Sequence, residues 1–169
     1  VCQGTSVTLT ATGASTYSWD NGVTQGVAFI PSVGTTTYLV TGTTAEGCVS
    51  TDEVSVTVNP LPVISAGADQ TICAGTVVTL TASGASTYSW NNGVNQGVSF
   101  TPLATATYIA TGTSAQGCVS TDDVIVTVNP LPTVNAGLDQ SICGGSSVTL
   151  SGTSNASNIQ WSPSSFVSN

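Results

Sequence analysis

Alternating apolar and polar positions mark short segments along the chain. In residues 78–82 and 124–128, every second residue is Val, Leu or Ala. A period of two places these side chains on one face of a strand, which we expect to be buried. No window of about eleven or more residues has the apolar spacing of a helix. The pattern therefore predicts an all-β chain.

The middle of the chain contains about seven such segments, which suits a β-sandwich. Turn sequences separate them, notably NNG at 91–93 and SAQG at 114–117. We therefore predict an immunoglobulin-like sandwich whose first strand is split in two. The predicted segments are 63–66, 70–73, 78–82, 88–90, 98–100, a strand around Tyr108 and Ala110, and 124–128.

The chain contains successive copies of one sequence segment. The segment that begins at Cys2 recurs at Cys73, and 42 of 58 paired positions are identical up to the prolines at 60 and 130. A third copy starts near residue 131. We predict three immunoglobulin-like units of about 70 residues: 1–60 without its first strand, a complete unit at 61–130, and a truncated unit at 131–169.

The junction sequence Asn-Pro-Leu-Pro occurs at 59–62 and again at 129–132. Two prolines in three residues favour an extended, semi-rigid connection. We therefore expect the units to form an extended rod, and the array to continue in both directions.

The amino-acid composition excludes several classes of function. Among 169 residues there is no Lys, Arg or His, and the formal net charge is −8. Binding to nucleic acid needs cationic side chains against phosphate, so no nucleic-acid partner is expected. Histidine-based catalysis and histidine metal sites are impossible, and we expect no enzymatic activity. No apolar run approaches the ~20 residues that span a membrane.

The run AGADQTICAGTVVTLTASG at 66–84, followed by YSW, NGV and GCVSTDDVIVTVNP, resembles the tandem immunoglobulin-like or PKD-like repeats of giant surface adhesins in gliding Bacteroidetes. The resemblance spans the whole chain. It implies type 9 secretion, a filament displayed on the bacterial cell surface, and a role in attachment and gliding motility. Because WNNG at 90–93 replaces the WDFGDG of typical PKD domains, the immunoglobulin-like label is preferred.

The five cysteines, Cys2, Cys48, Cys73, Cys118 and Cys143, suggest disulfides in an exported protein. Pairing within units would join Cys2 to Cys48 and Cys73 to Cys118. Pairing between units would join Cys2 to Cys118. Free thiols are the third alternative, and in either pairing the partner of Cys143 lies beyond the chain.

Strand length favours the pairing between units. Cys73 ends the first strand and Cys118 follows the last hairpin turn, so the two lie at opposite ends of their sandwich. A strand of ~8–10 residues separates these ends by roughly 25–30 Å. A disulfide needs Cα atoms within about 7 Å. In a tandem array the end that carries Cys2 meets the end that carries Cys118.

The aromatic residues are candidates for the core. Trp19, Trp90 and Trp161 recur at intervals of 71 residues, at a position that is usually a buried tryptophan in such sandwiches. A platform that stacks on sugars is the alternative function for them. We expect Tyr38 and Tyr108 to pack in the core as well.

The acidic residues also recur in equivalent places. We expect them to solvate the surface and protect strand edges, with a calcium site as the alternative because carboxylate clusters suit that ion. No other cofactor is expected. The candidate calcium ligands are Asp52, Glu53, Asp69, Asp122, Asp123 and Asp139.

Two functions remain. The first is a rigid spacer or stalk of a large secreted adhesin or filament. The second is an adhesive module that binds carbohydrate or protein through its loops. The turns at 20–25 and 91–96 scarcely differ between units, which favours the spacer. Its expected partners are neighbouring repeats of the same chain, with surface polysaccharide and the outer-membrane motility or secretion machinery as further candidates.

Overall fold

The computed structural model describes residues 1–162, and all regular structure in this range is β-strand. We call residues 1–60 unit 1, residues 61–130 unit 2 and residues 131–162 unit 3, so the last seven residues of the predicted third repeat lie outside the described range. The described residues include no helix with the length and apolar character needed to cross a membrane.

Unit 2 is a two-layered sandwich. Its strands are β6 Gln70–Cys73, β7 Val78–Thr79, β8 Thr87–Trp90, β9 Ser99–Phe100, β10 Ala106–Thr113 and β11 Val119–Asn129. The first layer is a four-stranded sheet in the order β6-β11-β10-β8, in which β6 runs parallel to β11 and the other pairs are antiparallel. The second layer pairs β7 with β9 and adds a bridge between Ser65 and Ser83.

This strand pairing is that of an immunoglobulin-like fold. The strands β8, β10 and β11 correspond to the C, F and G strands, and the split first strand contacts both layers, through Ser65 on one side and β6 on the other. The all-β, immunoglobulin-like fold predicted for the repeat is confirmed.

The β10–β11 hairpin is closed by a tight turn. The Gly117 amide donates to the Ser114 carbonyl over 3.0 Å, and the Ser114 amide donates to the Cys118 carbonyl over 2.8 Å. Gly117 has a φ of 80°, a conformation that a side chain disfavours. The turn thereby holds Cys118 at the tip end of the hairpin.

The core of unit 2 lies between its layers. Leu80, Val124 and Val126 are fully buried, and Tyr108 is buried with its ring 5.2 Å from that of Phe100. The buried faces predicted for residues 78–82 and 124–128 therefore exist. They remove apolar surface from water and thereby stabilise this small sandwich.

Unit 1 repeats this architecture with fewer strands. Its strands are β1 Val7–Thr8, β2 Thr16–Trp19, β3 Ala28–Phe29, β4 Gly34–Thr43 and β5 Val49–Val58. They form the sheets β2-β4-β5 and β1-β3, and a parallel bridge between Cys2 and Asn59 lies where β6 pairs with β11 in unit 2.

Unit 3 contains, within its described residues, one antiparallel pair formed by β12 (Val134–Asn135) and β13 (Thr153–Ser154). Three predicted strands are shorter than the pattern suggested, and the one predicted at 78–82 is a regular strand only at Val78–Thr79. In residues 63–66 the strand is reduced to the bridge at Ser65, because the backbone there leaves one layer for the other. Val98 precedes its strand and is exposed, because a turn at Gly97, whose φ is 70°, comes directly before it.

Candidate functional site: the junction between units 1 and 2

A disulfide joins the two units. Cys2 and Cys118 are bonded, with their Cα atoms 5.5 Å apart and a sequence separation of 116. This is the inter-unit pairing that strand length favoured. The alternative pairs, Cys2 with Cys48 and Cys73 with Cys118, are absent, and Cys48 and Cys73 are unbonded and exposed.

The backbone places Cys2 at the end of unit 1 that adjoins unit 2. The Asn59 amide donates to the Val1 carbonyl over 2.9 Å, and the Gln3 amide donates to the Asn59 carbonyl over 2.8 Å. These two bonds hold Cys2 beside the last residues of β5, immediately before the proline linker. Cys2 therefore sits where the chain leaves unit 1.

The hairpin turn of unit 2 supplies the other half of the bridge. The Cys118 amide donates to the Ser114 Oγ over 3.1 Å, which fixes the cysteine at the start of β11. Cys118 is 1% exposed, and its Sγ lies 3.9 Å from the Asn59 carbonyl oxygen. The disulfide is thus packed against the linker that connects the same two units.

Pairing within a unit fails for a geometric reason. The ten-residue strands β4 and β5 separate Cys2, near the end of β5, from Cys48, before its start. At about 3.3 Å per residue this separation is roughly 30 Å, far beyond the reach of a disulfide.

The unbonded cysteines of units 1 and 2 occupy the positions that the bonded cysteines occupy in the other unit. When the two units are aligned, Cys48 corresponds to Cys118, and Cys73 corresponds to Cys2. The Ala74 amide donates to the Asn129 carbonyl over 2.8 Å, as the Gln3 amide does to Asn59. The end of unit 2 therefore presents Cys73 in the backbone setting that Cys2 has at the end of unit 1. Cys143, the third counterpart, is also exposed and unbonded.

The aromatic residues divide into two groups. Tyr38 and Tyr108 are buried, as expected for core residues. Trp19, Trp90 and Trp161 are half-buried, so they are less buried than the sequence suggested, although Trp90 does pack against the core of unit 2. Trp19 and Trp90 lie on β2 and β8, the edge strands of their sheets.

Two glutamines, which the sequence analysis missed, hold the indoles of these tryptophans. Trp90 Nε1 donates to Gln96 Oε1 over 2.7 Å, and Trp19 Nε1 donates to Gln25 Oε1 over 2.7 Å. Each glutamine amide also bonds the backbone amide and carbonyl of one alanine, Ala82 or Ala11. The recurrence of Gln six residues after Trp19 and after Trp90 was the pattern that could have revealed this clamp.

We predict that Gln96→Ala destabilises unit 2 by about 1–3 kcal/mol, because it removes three hydrogen bonds and leaves the indole N–H and the Ala82 groups without these partners. Thermal unfolding followed by circular dichroism measures the loss. Asn95→Ala, at the exposed neighbouring position, is the matched control and should leave the melting temperature within the error of wild type. Equal effects from both substitutions would contradict the clamp.

The acidic residues do not converge on one point. Asp122 Oδ2 accepts from the Ala66 amide over 2.8 Å, and Asp69 Oδ1 accepts from the Ile125 amide over 2.8 Å, so both tie the first strand to β11. Asp52 Oδ1 accepts from the adjacent Glu53 amide over 2.9 Å. Asp123 and Asp139 are exposed. Within residues 1–162 no three His, Cys, Asp or Glu side chains group as metal ligands would.

Comparison with known proteins adds little. No protein-family model matches the chain, and no curated protein is significantly similar to it. Among solved structures, the chain is similar to the eight N-terminal immunoglobulin domains of the Down syndrome cell adhesion molecule, isoform 1.30.30, at 17% identity and a TM-score of 0.37. The similarity covers 93% of this chain and 30% of that one. The strand pairing of unit 2 shows the immunoglobulin-like fold.

Proposed function

We propose that the chain is a rigid spacer segment of an extended, exported filament, in which repeats are connected twice at each junction. The observation that carries this proposal is the disulfide between Cys2 of unit 1 and Cys118 of unit 2. The linker at 59–62 is the first connection and the disulfide is the second. Two connections restrict bending of one unit against the next more than the semi-rigid linker alone does.

The same bridge changes the path of a pulling force. A force applied between the two ends of the chain enters at Cys2, crosses the disulfide to Cys118 and continues along β11. The residues between the two cysteines, which include most of units 1 and 2, are outside this path. They are therefore protected from mechanical extension, which suits a stalk that bears load.

Single-molecule pulling on the oxidised chain tests this role. We expect the 116-residue span enclosed by the bridge to stay unextended until a reductant is added. Reduction should then release roughly 400 Å of contour length, at about 3.6 Å per residue. A chain whose extension is the same with and without reductant would contradict the proposal.

Matched variants separate the bridge from other effects of reduction. Cys118→Ala should extend fully without reductant, whereas Cys48→Ala, at the equivalent exposed position of unit 1, should behave as wild type. If Cys48→Ala also lengthened the extension, disulfides other than the one described would be involved.

The resemblance to giant Bacteroidetes adhesins supports a more specific proposal. The chain would then belong to the stalk of a gliding-motility adhesin of the SprB type, outside the cell, secreted by the type 9 route. The rival function is an adhesive module that binds carbohydrate or protein. A glycan array probed with the purified chain distinguishes them, because specific binding would favour the module and its absence the spacer.

A further inference from the structure

The outer edge of β8 in unit 2 has no partner strand within residues 1–162. β8 lies at the end of the order β6-β11-β10-β8 and pairs with β10 on one side only. The Asn91 amide donates to the Ile109 carbonyl over 3.2 Å, so the backbone groups of every second residue counted from Asn91 point to β10. The direction alternates along an antiparallel strand, so the N–H and C=O groups of Tyr88 and Trp90 point to the free edge.

This edge lacks the features that keep edge strands from pairing with one another. Charged side chains and prolines are the usual means by which proteins protect such edges. β8 contains neither, and residues 70–121 include no Asp, Glu, Lys, Arg or His. The acidic residues that we expected to protect strand edges therefore do not protect this one.

Two aromatic side chains lie beside the free backbone groups. Tyr88 and Trp90 pack against the core of unit 2 but are only half-buried. Tyr88 Oη donates to the Ala85 carbonyl over 2.8 Å and accepts from the Ala85 amide over 2.6 Å. The bond from the Trp90 indole to Gln96 fixes the second ring. Rings that are already fixed lose little conformational entropy on binding, and Tyr and Trp are enriched in protein interfaces.

Unit 1 has the same edge with one difference. Its edge strand β2 has the sequence Thr-Tyr-Ser-Trp, as β8 does. Asp20 follows β2, whereas Asn91 follows β8. Each of these side chains accepts from a backbone amide of the neighbouring strand over 2.9 Å, so both occupy the same place in their turns. The edge of unit 1 therefore ends in a negative charge, and the edge of unit 2 is neutral.

We infer that a second copy of this chain adds its own β8 to the free edge of β8, antiparallel and about a two-fold axis at Ser89. In this register Tyr88 of each copy lies opposite Trp90 of the other, and the free N–H groups of one copy meet the free C=O groups of the other. The contact joins two four-stranded sheets into one continuous sheet.

The second copy is the occupant because the edge is complementary to itself. Each free donor meets an acceptor, each tyrosine meets a tryptophan across the strands, and aromatic pairs of this kind stabilise antiparallel sheets. A chain without Lys, Arg or His forms no side-chain ion pair with another copy, and this neutral edge needs none. The inference does not depend on the spacer role.

Sedimentation equilibrium of the full chain tests the inference, with Cys48, Cys73 and Cys143 changed to serine so that these exposed thiols cannot join two copies. We expect a dimer with a dissociation constant below about 1 mM. Hydrogen exchange at the Tyr88 and Trp90 amides should slow by at least about tenfold in the dimer. A chain that is monomeric at about 1 mM, or a dimer in which these two amides exchange as in the monomer, would overturn the inference.

Charge placed at the proposed axis locates the contact. Ser89 is exposed, so Ser89→Lys should leave the fold intact, and it sets two ammonium groups opposite each other in the dimer. We expect the dissociation constant, measured by sedimentation, to rise at least about tenfold. A mixture of Ser89→Lys and Ser89→Asp chains should restore association, because opposite charges then meet at the axis.

Unit 1 supplies the matched control. Ser18→Lys makes the same change at the equivalent exposed position of β2 and should dimerise as the parent chain does. Equal weakening by Ser18→Lys and Ser89→Lys would overturn the assignment to the edge of unit 2. A mixture of the two Ser89 variants that associates no better than Ser89→Lys alone would overturn the two-fold axis.

Discussion

Removal of the bridge between Cys2 and Cys118 is expected to lower the free energy of unfolding by about 2–4 kcal/mol. The two cysteines enclose a span of 116 residues, so the bond greatly limits the freedom of the unfolded chain. Because the bridge also couples the two units, its loss should convert one broad unfolding transition into two. Urea denaturation of Cys2→Ser, with and without reductant on wild type, measures both effects.

The repeat supplies an internal control for this result. Cys48→Ser changes the cysteine that occupies the position of Cys118 in unit 1 but is unbonded and exposed, so it should leave the unfolding midpoint unchanged. Reductant should lower the midpoint of wild type and of Cys48→Ser, and should have no effect on Cys2→Ser. A midpoint that falls equally in Cys48→Ser and Cys2→Ser would contradict a stabilising role for this bridge.

The pairing could be predicted because it depends on lengths alone. A strand of ten residues is longer than a disulfide can span, so two cysteines at opposite ends of a sandwich must find partners in other units. The alternation of apolar and polar residues predicted the burial of Val124 and Val126 equally well. A period of two places both side chains on the face that packs against the other layer. Both arguments need only strand geometry.

The tryptophans show a feature that strand geometry and residue periodicity do not predict. A large apolar residue that recurs in a repeat suggests core, yet Trp90 lies on an edge strand and is half-buried. Its position is decided by a partner for the indole N–H, and that partner, Gln96, belongs to a turn of polar residues. Periodicity carries no information about which polar side chain bonds which indole.

The difference in burial between Val54 and Val124 could not be foreseen from the sequences of units 1 and 2 either. Units 1 and 2 are nearly identical from Cys2 onward, so their local patterns predict the same buried residues. Burial differs because residues 63–66, which lie before the region of identity, cover one side of unit 2. The environment of one valine thus depends on a segment about sixty residues away in sequence.

This dependence leads to a large predicted difference between two equivalent substitutions. Val124→Asp places a carboxylate at a completely buried position in the hydrophobic core of unit 2, which should cost at least about 4 kcal/mol. A unit of this size has total stability of about 4–10 kcal/mol, so unit 2 should unfold. Hydrogen exchange with mass spectrometry should show protection lost across residues 61–130.

Val54→Asp is the matched substitution in unit 1 and should be tolerated. Val54 is 38% exposed, so the new carboxylate can remain in water, and we expect a loss of about 1 kcal/mol or less. The circular dichroism spectrum should remain that of a folded chain, and residues 1–60 should remain protected from hydrogen exchange. Because the two positions carry the same residue in nearly identical sequences, only the covering segment separates the two outcomes. Equal losses in the two variants would mean that residues 63–66 do not shield the core of unit 2.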